Sequence, residues 1–475
     1  MRRVGDAFGG VTRATFCQHP RGDQRDELAV GEPSHNGPHR GQGDGGRQQP
    51  DDEPQRHGER GDERVHAQPT DSEVIGVALP GTAGSPSFMR RGAAPPAMTT
   101  WTSEEMGPKL YQSVSELETP VLLADLDAME RNIDEYAAVA DEHDVDLRSH
   151  VKTHKNAELA ALEVERTGNV GICCQTLGEV ETMARNGIDD IYLSYQVVGE
   201  SKLDRLCWLD GKLDALATTV DSAATVDLLQ DAAAKHDRTL HTILEVDMGL
   251  HRTGVAPDDA VAFAERVAAA ENLAFDGILA YDSHVKSLAS TEQEFEEECW
   301  EAMELAQAVV DDIEAAGIEV PEVKVGGTAT SRYSARHPVV TEINPGMYPF
   351  NDVGELELRP WEVSKADCTA TVLTTVISVP DEDRLVVDGG SKTFSLDKPQ
   401  MPVPKHREDI AYENASEEHG WIDTSESDET FEVGDRLEFV VPHVCTTINL
   451  HDLLVGHRDG RVEELWEVQA RGKVR

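Results

Sequence analysis

The chain has 475 residues, 90 of them acidic and 43 basic, for a formal charge of −47 at pH 7. A field of that sign repels phosphate backbones and speaks against a nucleic-acid partner. No run approaches the roughly eighteen apolar residues that a membrane helix requires, so a soluble protein is expected. Acids spread through the segments, with few lysines and few large aromatics, suit a halophilic protein in a salt-rich cytoplasm, where screening relieves self-repulsion. An ordinary acidic protein is the plainer alternative. Seven cysteines show no paired spacing, which points to a reducing compartment rather than a disulfide framework.

Residues 1–97 differ from the rest. They contain no lysine, tyrosine or tryptophan and are crowded with Gly, Pro, Gln, Arg and His, as in "GPHRGQGDGGRQQPDDEPQRHGERGDER". Such a composition cannot build a core. With 14 acids and 12 bases they are nearly neutral, leaving 76 acids and 31 bases for the remainder. The acidic composition begins at Met98. The break predicts either a disordered tail or a stretch upstream of the true start, and no apolar region at the front suggests a signal peptide.

From Thr119 onward, short runs rich in Val, Ile and Leu alternate with helical, acid-bearing segments. The runs are "PVLLAD", "LRSHVK", "GICCQT", "IYLSYQ", "ALATTV", "LHTILEVD", "FDGILAY" and "EVKVGG". Eight strands separated by helices predict an α/β fold of the (β/α)₈ barrel type, with a doubly wound open sheet as the alternative.

Barrel enzymes assemble their sites from the C-terminal ends of the strands. Lys152 ends the second predicted strand, in "LRSHVKTHK", and alternation puts His150 on the same side. A desolvated amine there is nucleophilic toward an aldehyde, whereas a surface loop pairing with acids is the structural alternative. Arg252 follows strand six in "EVDMGLHRTG", and Tyr281 and His284 follow strand seven. After strand eight, "VGGTATS" offers Gly326, Gly327 and Thr328 as a phosphate-type loop. A lysine nucleophile, an arginine and a phosphate cradle on one rim describe a pyridoxal phosphate site with Lys152 as its covalent anchor.

From about Val353 the chain turns to β-rich runs that read as a separate domain. Within it His443 and Cys445 stand two apart; on a strand both side chains leave one face and can share a metal ion, or form a buried thiol beside a structural histidine.

Several motifs, "TPVLLADLDAMERNI", "LRSHVKTHK", "GICCQTLGEVE", "VDMGLHRTG", "VGGTATS", "TEINPGMY" and "HVCTTINLHD", together resemble the D-threonine aldolase and D-serine dehydratase family. Its members are fold type III pyridoxal phosphate enzymes with an alanine racemase-type N-terminal barrel. The resemblance runs from about Leu117 to Gly472. It implies a barrel over residues 98–352, a C-terminal β domain over 353–475, and a homodimer. By the same resemblance Lys152 carries the cofactor, Arg252 lies beside its ring, Gly326, Gly327 and Thr328 hold its phosphate, and Gln175 and Tyr348 complete its surroundings.

The resemblance also assigns a divalent metal to His443 and Cys445. The aldolases place His and Asp there and the dehydratases His and Cys. This chain has the second pair, which favours zinc over manganese, although its tail, with His451 and Asp452 as possible further ligands, is closer to the aldolases. The expected activity is metal-assisted lysis of D-β-hydroxy-α-amino acids, retro-aldol cleavage to glycine and an aldehyde. Elimination to a 2-oxo acid and ammonia is the alternative, and a racemase or a non-catalytic cofactor carrier is the more distant one. Truncation to Met98 is expected to leave solubility and turnover unchanged, measured by gel filtration and product assay; loss of soluble enzyme would place residues 1–97 inside the fold.

Overall fold

Helices and short apolar strands alternate along the chain, and several helix starts carry a side-chain acceptor for the free N–H groups of the first turn. Asp125 caps the helix Leu126–His143 through Ala128 N, and Thr291 with Glu294 forms a capping box on Glu292–Ala315. The computed structural model describes residues 107–168 and 170–475. The expectation for residues 1–97, and the break at Met98, lie outside them.

Eight strand positions form a parallel barrel. In order around it come the interrupted strand Asp146–Leu147 and Ser149–His150, then Ile172–Cys174, Asp190–Leu193, Ala215–Val220, Leu240–Val246, Leu273–Ala280, Glu322–Gly326 and Glu342–Asn344. The last pairs with Asp146–Leu147 while Ser149–His150 pairs with Ile172–Cys174, so the sheet closes on its broken strand. No helix among the described residues is long and apolar enough to cross a membrane.

The second sheet is built from the C-terminal runs, with Ala370–Asp381 antiparallel to Arg436–Val440 and Leu453–Arg458 in a hairpin with Arg461–Glu467. One predicted barrel strand belongs here instead. Val121–Asp125 pairs antiparallel with Ala370–Asp381, Val121 opposite Leu373, and parallel with Leu453–Arg458, Leu123 opposite Val455. Its place in the barrel is taken by Glu342–Asn344, from the "TEINPGMY" segment. An apolar run shows that a strand is buried and not which sheet buries it.

At the closure, Arg148 sits in the strand interruption and bonds Glu342 (3.0 Å) and Asp190 (2.6 Å), while Lys324 reaches the other Glu342 oxygen at 2.8 Å. Burial pushes the Glu342 carboxyl up, but Lys324 and Arg148 outweigh it and hold the group below its ordinary range. The network's stabilisation is therefore present above about pH 4.5, the unperturbed carboxyl value, and is lost as pH falls through the depressed folded value. Glu342→Gln, which leaves Arg148 only Asp190 and Lys324 only Glu322 as anionic partners, is expected to cost up to about 3–5 kcal/mol in urea unfolding at pH 7. The gap between wild type and variant should narrow in acid; a constant gap would show that Glu342 acts by shape alone.

Candidate active site

At the C-terminal ends of the barrel strands, where loops of the second sheet meet them, lies a cleft of about 450 Å³. Lys152, Arg252, Lys286 and Lys398 line it, and no aspartate or glutamate among the described residues does. In a chain of charge −47 this is a local inversion of sign, which concentrates anions by field focusing.

Lys152 lies in the turn after Ser149–His150, two residues beyond the strand end, with its Nζ 3.5 Å from Gln175 Oε1. The same amide oxygen faces His150 Nε2 at 3.1 Å, and Gln175 donates its amide N–H to Ser194 O at 2.8 Å. Burial, with the adjacent Lys152 charge, holds the His150 imidazole well below its ordinary range, so at pH 7 it is neutral. Lys155, the other lysine of the motif, turns inward: its backbone is left-handed and its amine meets Glu179 at 3.2 Å, both side chains buried. Of the two lysines only Lys152 presents its amine to the cleft.

Across from it, the Arg252 guanidinium stacks 4.8 Å from the centre of the Tyr281 ring and lies 3.5 Å from Glu245. Burial pushes the Tyr281 phenol up, but the charges of Lys152, Lys286 and Arg252 and a hydrogen bond with Ser283 outweigh it and bring it below its ordinary value. Gly326 ends strand Glu322–Gly326 and Gly327 follows it, both lining the cleft. A Cβ on Gly326 would stand 2.7 Å from the Tyr281 ring, and Gly327 has φ +98°, so both positions need glycine. The Thr328 hydroxyl accepts from Met347 N at 2.8 Å, tying this loop to the one after Glu342–Asn344. Asn344 lines the cleft with a buried, unpartnered Oδ1.

Tyr348 is not brought to the cleft surface. It is wholly buried behind it, its hydroxyl 2.7 Å from Ser149 Oγ and its ring 4.7 Å from Tyr136. His284 is likewise outside the lining, packed against Gly249.

His443 and Cys445 do line the cleft, though not from a strand. His443 is the N-cap of the short helix Val444–Ile448, and the start of that turn brings the two side chains together. Proline at 442 ends the preceding strand and starts the turn. His443 Nδ1 lies 2.8 Å from Asp397 Oδ2, the carboxylate–histidine arrangement common to metal sites, and the imidazole also meets Cys445. Burial lowers the imidazole, but Cys445 and Asp397 outweigh it and raise it to about 9. Cys445 Sγ is 3.3 Å from Thr153 Oγ1, next to Lys152 in the chain.

The donor set fits a borderline-soft divalent ion, with imidazole and thiolate as two protein ligands; among the described residues no third His, Cys, Asp or Glu converges on them. His451 and Asp452 do not contribute: His451 bonds Thr393 O at 3.0 Å and Asp452 pairs with Arg471. The free amine, the two close-approach glycines and the unlined cationic wall fit a phosphorylated aldehyde. Sequence reasoning missed Asp397, Ser194, Thr153, Lys286, Asn344 and Lys398. Thr153 and Asn344 stand inside quoted motifs but carried no chemical signal of their own, and the other four lie outside any motif and reach the site only through the tertiary fold.

Because Lys155 closes a buried pair and Lys152 does not, the two should separate in stability without any ligand. Lys155→Met is expected to cost about 3–5 kcal/mol in thermal unfolding of the apoprotein, and Lys152→Met less than about 1 kcal/mol. Equal losses would put Lys152 in the structural framework.

The alanine racemase N-terminal domain model matches residues 124–352 and the serine dehydratase domain model residues 369–457. The chain is 35% identical to a 3-hydroxy-D-aspartate aldolase of Paracoccus denitrificans, across 76% of this chain and 93% of that one. Its fold superposes on D-threonine aldolase from Filomicrobium marinum with a TM-score of 0.74 and 31% identity, covering 78% of this chain and 99% of the other. It also matches D-threo-3-hydroxyaspartate dehydratase from Delftia sp. HT23, solved additionally as a cysteine-to-alanine variant in the metal-free form, at TM-score 0.67 and 26% identity over 75% and 98% of the two chains. The order of motifs, the barrel with its second sheet, and these relatives agree: the chain belongs to the D-threonine aldolase and D-serine dehydratase family of pyridoxal phosphate-dependent lyases.

Proposed function

We propose that the enzyme cleaves D-β-hydroxy-α-amino acids between Cα and Cβ, releasing glycine and an aldehyde, with pyridoxal 5'-phosphate and a divalent metal. One observation carries the reading: a lysine amine without an ion pair, an imidazole and a thiol face a single cleft that no carboxylate among the described residues lines. When bound, the cofactor supplies an electron sink at the α-carbon and the metal, zinc by its ligands, a Lewis acid at the β-hydroxyl. Lys152 Nζ is the anchoring amine, and His150, Gln175 and Ser194 hold it in place. Arg252 and Tyr281 wall the ring, and the loop from Gly326 to Thr328 takes the phosphate through its backbone N–H groups. His443 and Cys445 are the metal ligands, oriented by Asp397.

Elimination to a 2-oxo acid is the second reading, favoured by Cys445 standing where the resemblance gives the aldolases an aspartate. In that reaction Lys152 Nζ takes the α-proton. A racemase or a cofactor carrier would leave the His443–Cys445 pair without a task. The acid surplus, and six free thiols among the described cysteines, support a salt-rich, reducing cytoplasm; the two-subunit assembly rests on family resemblance.

Incubation with D-threonine and D-serine should yield glycine and acetaldehyde from the first; 2-oxo acids and ammonia would assign the chain to the elimination branch. Borohydride reduction and peptide mapping should mark Lys152, and label on Lys155 or Lys392 would defeat the assignment. Chelation, or Cys445→Ala, should cut turnover by orders of magnitude while bound-cofactor absorbance persists. Full activity of the metal-free Cys445→Ala enzyme would remove the metal from the reading.

A further inference from the structure

Behind the loop that follows strand Glu322–Gly326 lies a carboxyl with no task in the chemistry above. Asp282, next in the chain to Tyr281, is wholly buried, as are the two hydroxyl residues that meet it. Its Oδ1 stands 2.7 Å from Thr330 Oγ1 and its Oδ2 2.5 Å from Ser334 Oγ. A carboxylate taken out of water without a paired cation is strongly destabilised. Burial accordingly pushes the group up to about 6, against the pull of Ser334, Thr330, its own backbone N–H and the charge of Lys286.

Thr330 has one hydroxyl hydrogen for two acceptors, because its Oγ1 also lies 2.8 Å from Gly326 O. While Asp282 is ionised, the carboxylate takes that hydrogen as the charged acceptor, and Gly326 O loses its donor. A proton on Asp282 removes the conflict: the acid donates to Thr330 Oγ1, and Thr330 donates to Gly326 O. That carbonyl belongs to the same trans peptide as Gly327 N–H, which points the opposite way. A donor on the carbonyl polarises the peptide and strengthens the N–H, which is one of the loop's candidate donors to phosphate. The proton therefore acts on a bound phosphate twice, by strengthening a donor to it and by removing a like charge behind it.

We infer that Asp282 is a positioning residue of the phosphate loop, acting through Thr330, and that it takes up a proton when the cofactor's phosphate group binds. Phosphate and proton then stabilise one another, each raising the affinity for the other by the same factor. This rests on the reading of Gly326, Gly327 and Thr328 as the phosphate site. The other titratable groups that face Asp282 keep their charge state near neutrality. Burial lowers Lys286, on the same turn, but Glu355 at 3.5 Å outweighs it. Burial pushes the Cys299 thiol, on the helix Glu292–Ala315, above its ordinary value.

The test measures dissociation constants of the cofactor-free full chain for pyridoxal 5'-phosphate and for pyridoxal, whose ratio isolates the phosphate group. In wild type the preference for the phosphorylated aldehyde should be greatest at about pH 6 and weaken toward about pH 8, by up to about tenfold per pH unit for one linked proton. Asp282→Asn, whose amide can donate to Thr330 at every pH while its oxygen accepts from Ser334, should hold the acid-side preference across the range. Titration of the phosphate and of the cleft groups is common to both proteins and cancels between them. If the variant does not fold, calorimetry of wild type in buffers of different ionisation enthalpy decides. At about pH 7, where the free phosphate ester is already largely dianionic, the phosphorylated aldehyde should draw more protons from the buffer than pyridoxal does. Parallel pH profiles in wild type and Asp282→Asn, or equal proton uptake with the two aldehydes, overturn the proposal while leaving the phosphate site in place. Equal affinity for the two aldehydes at every pH overturns the phosphate reading itself, and the proposal with it.

Discussion

The barrel closes around a buried carboxylate. Glu342 holds Arg148 and Lys324 at once, and Arg148 occupies the break in the strand where the sheet meets itself. A buried charge of either sign would be costly alone, so these three groups are tolerable only together. Because the strand is broken at Arg148, its second half, Ser149–His150, can pair with Ile172–Cys174 while its first half pairs with Glu342–Asn344. That register delivers Lys152 to the rim, two residues past the pairing, with His150 beneath it. The site geometry thus depends on an ion network that touches no substrate.

An acidic chain and a cationic cleft coexist because no carboxylate among the described residues lines the cleft. The two lysines of "LRSHVKTHK" divide the work. Lys155 neutralises Glu179 inside the protein, and Glu179 in turn accepts from the backbone N–H of Gln175 at 2.7 Å. The structural pair therefore fixes Gln175, which faces His150 and Lys152, and the inward lysine positions the outward one at second hand. Neutral His150 adds no competing positive charge beside the reacting amine.

The second sheet does more than follow the barrel. Val121–Asp125 runs in its centre before the chain enters the barrel, so described segments on both sides of the barrel share one sheet. Contacts at the junction are specific: Asp352 accepts from Val444 N at 2.9 Å, Asn156 donates to Glu467 O at 2.7 Å, and Ala470 N donates to Lys155 O at 3.0 Å. They hold the turn carrying His443 and Cys445 against Thr153 and Lys152. The His443–Cys445 pair from one side and the Lys152 amine from the other meet because both sides of the junction are tied by these hydrogen bonds.

The sequence by itself determined the α/β barrel with a β-rich tail, and it named Lys152, His443 and Cys445 as the candidates that the fold brings to one cleft. Strand-helix alternation, motif order and close spacing are local properties, readable without partners. What it left to the tertiary structure was which sheet received "PVLLAD", that Tyr348 packs behind the wall, and that His443 and Cys445 meet at a helix start rather than on a strand. Asp397, Lys286 and Lys398 come within reach of the site only when segments distant in the chain are folded together. Whether a charged side chain is paired, buried or presented to a cleft is decided by neighbours that sequence distance does not reveal, and here those neighbours distinguish Lys155, which holds the fold together, from Lys152, which faces the chemistry.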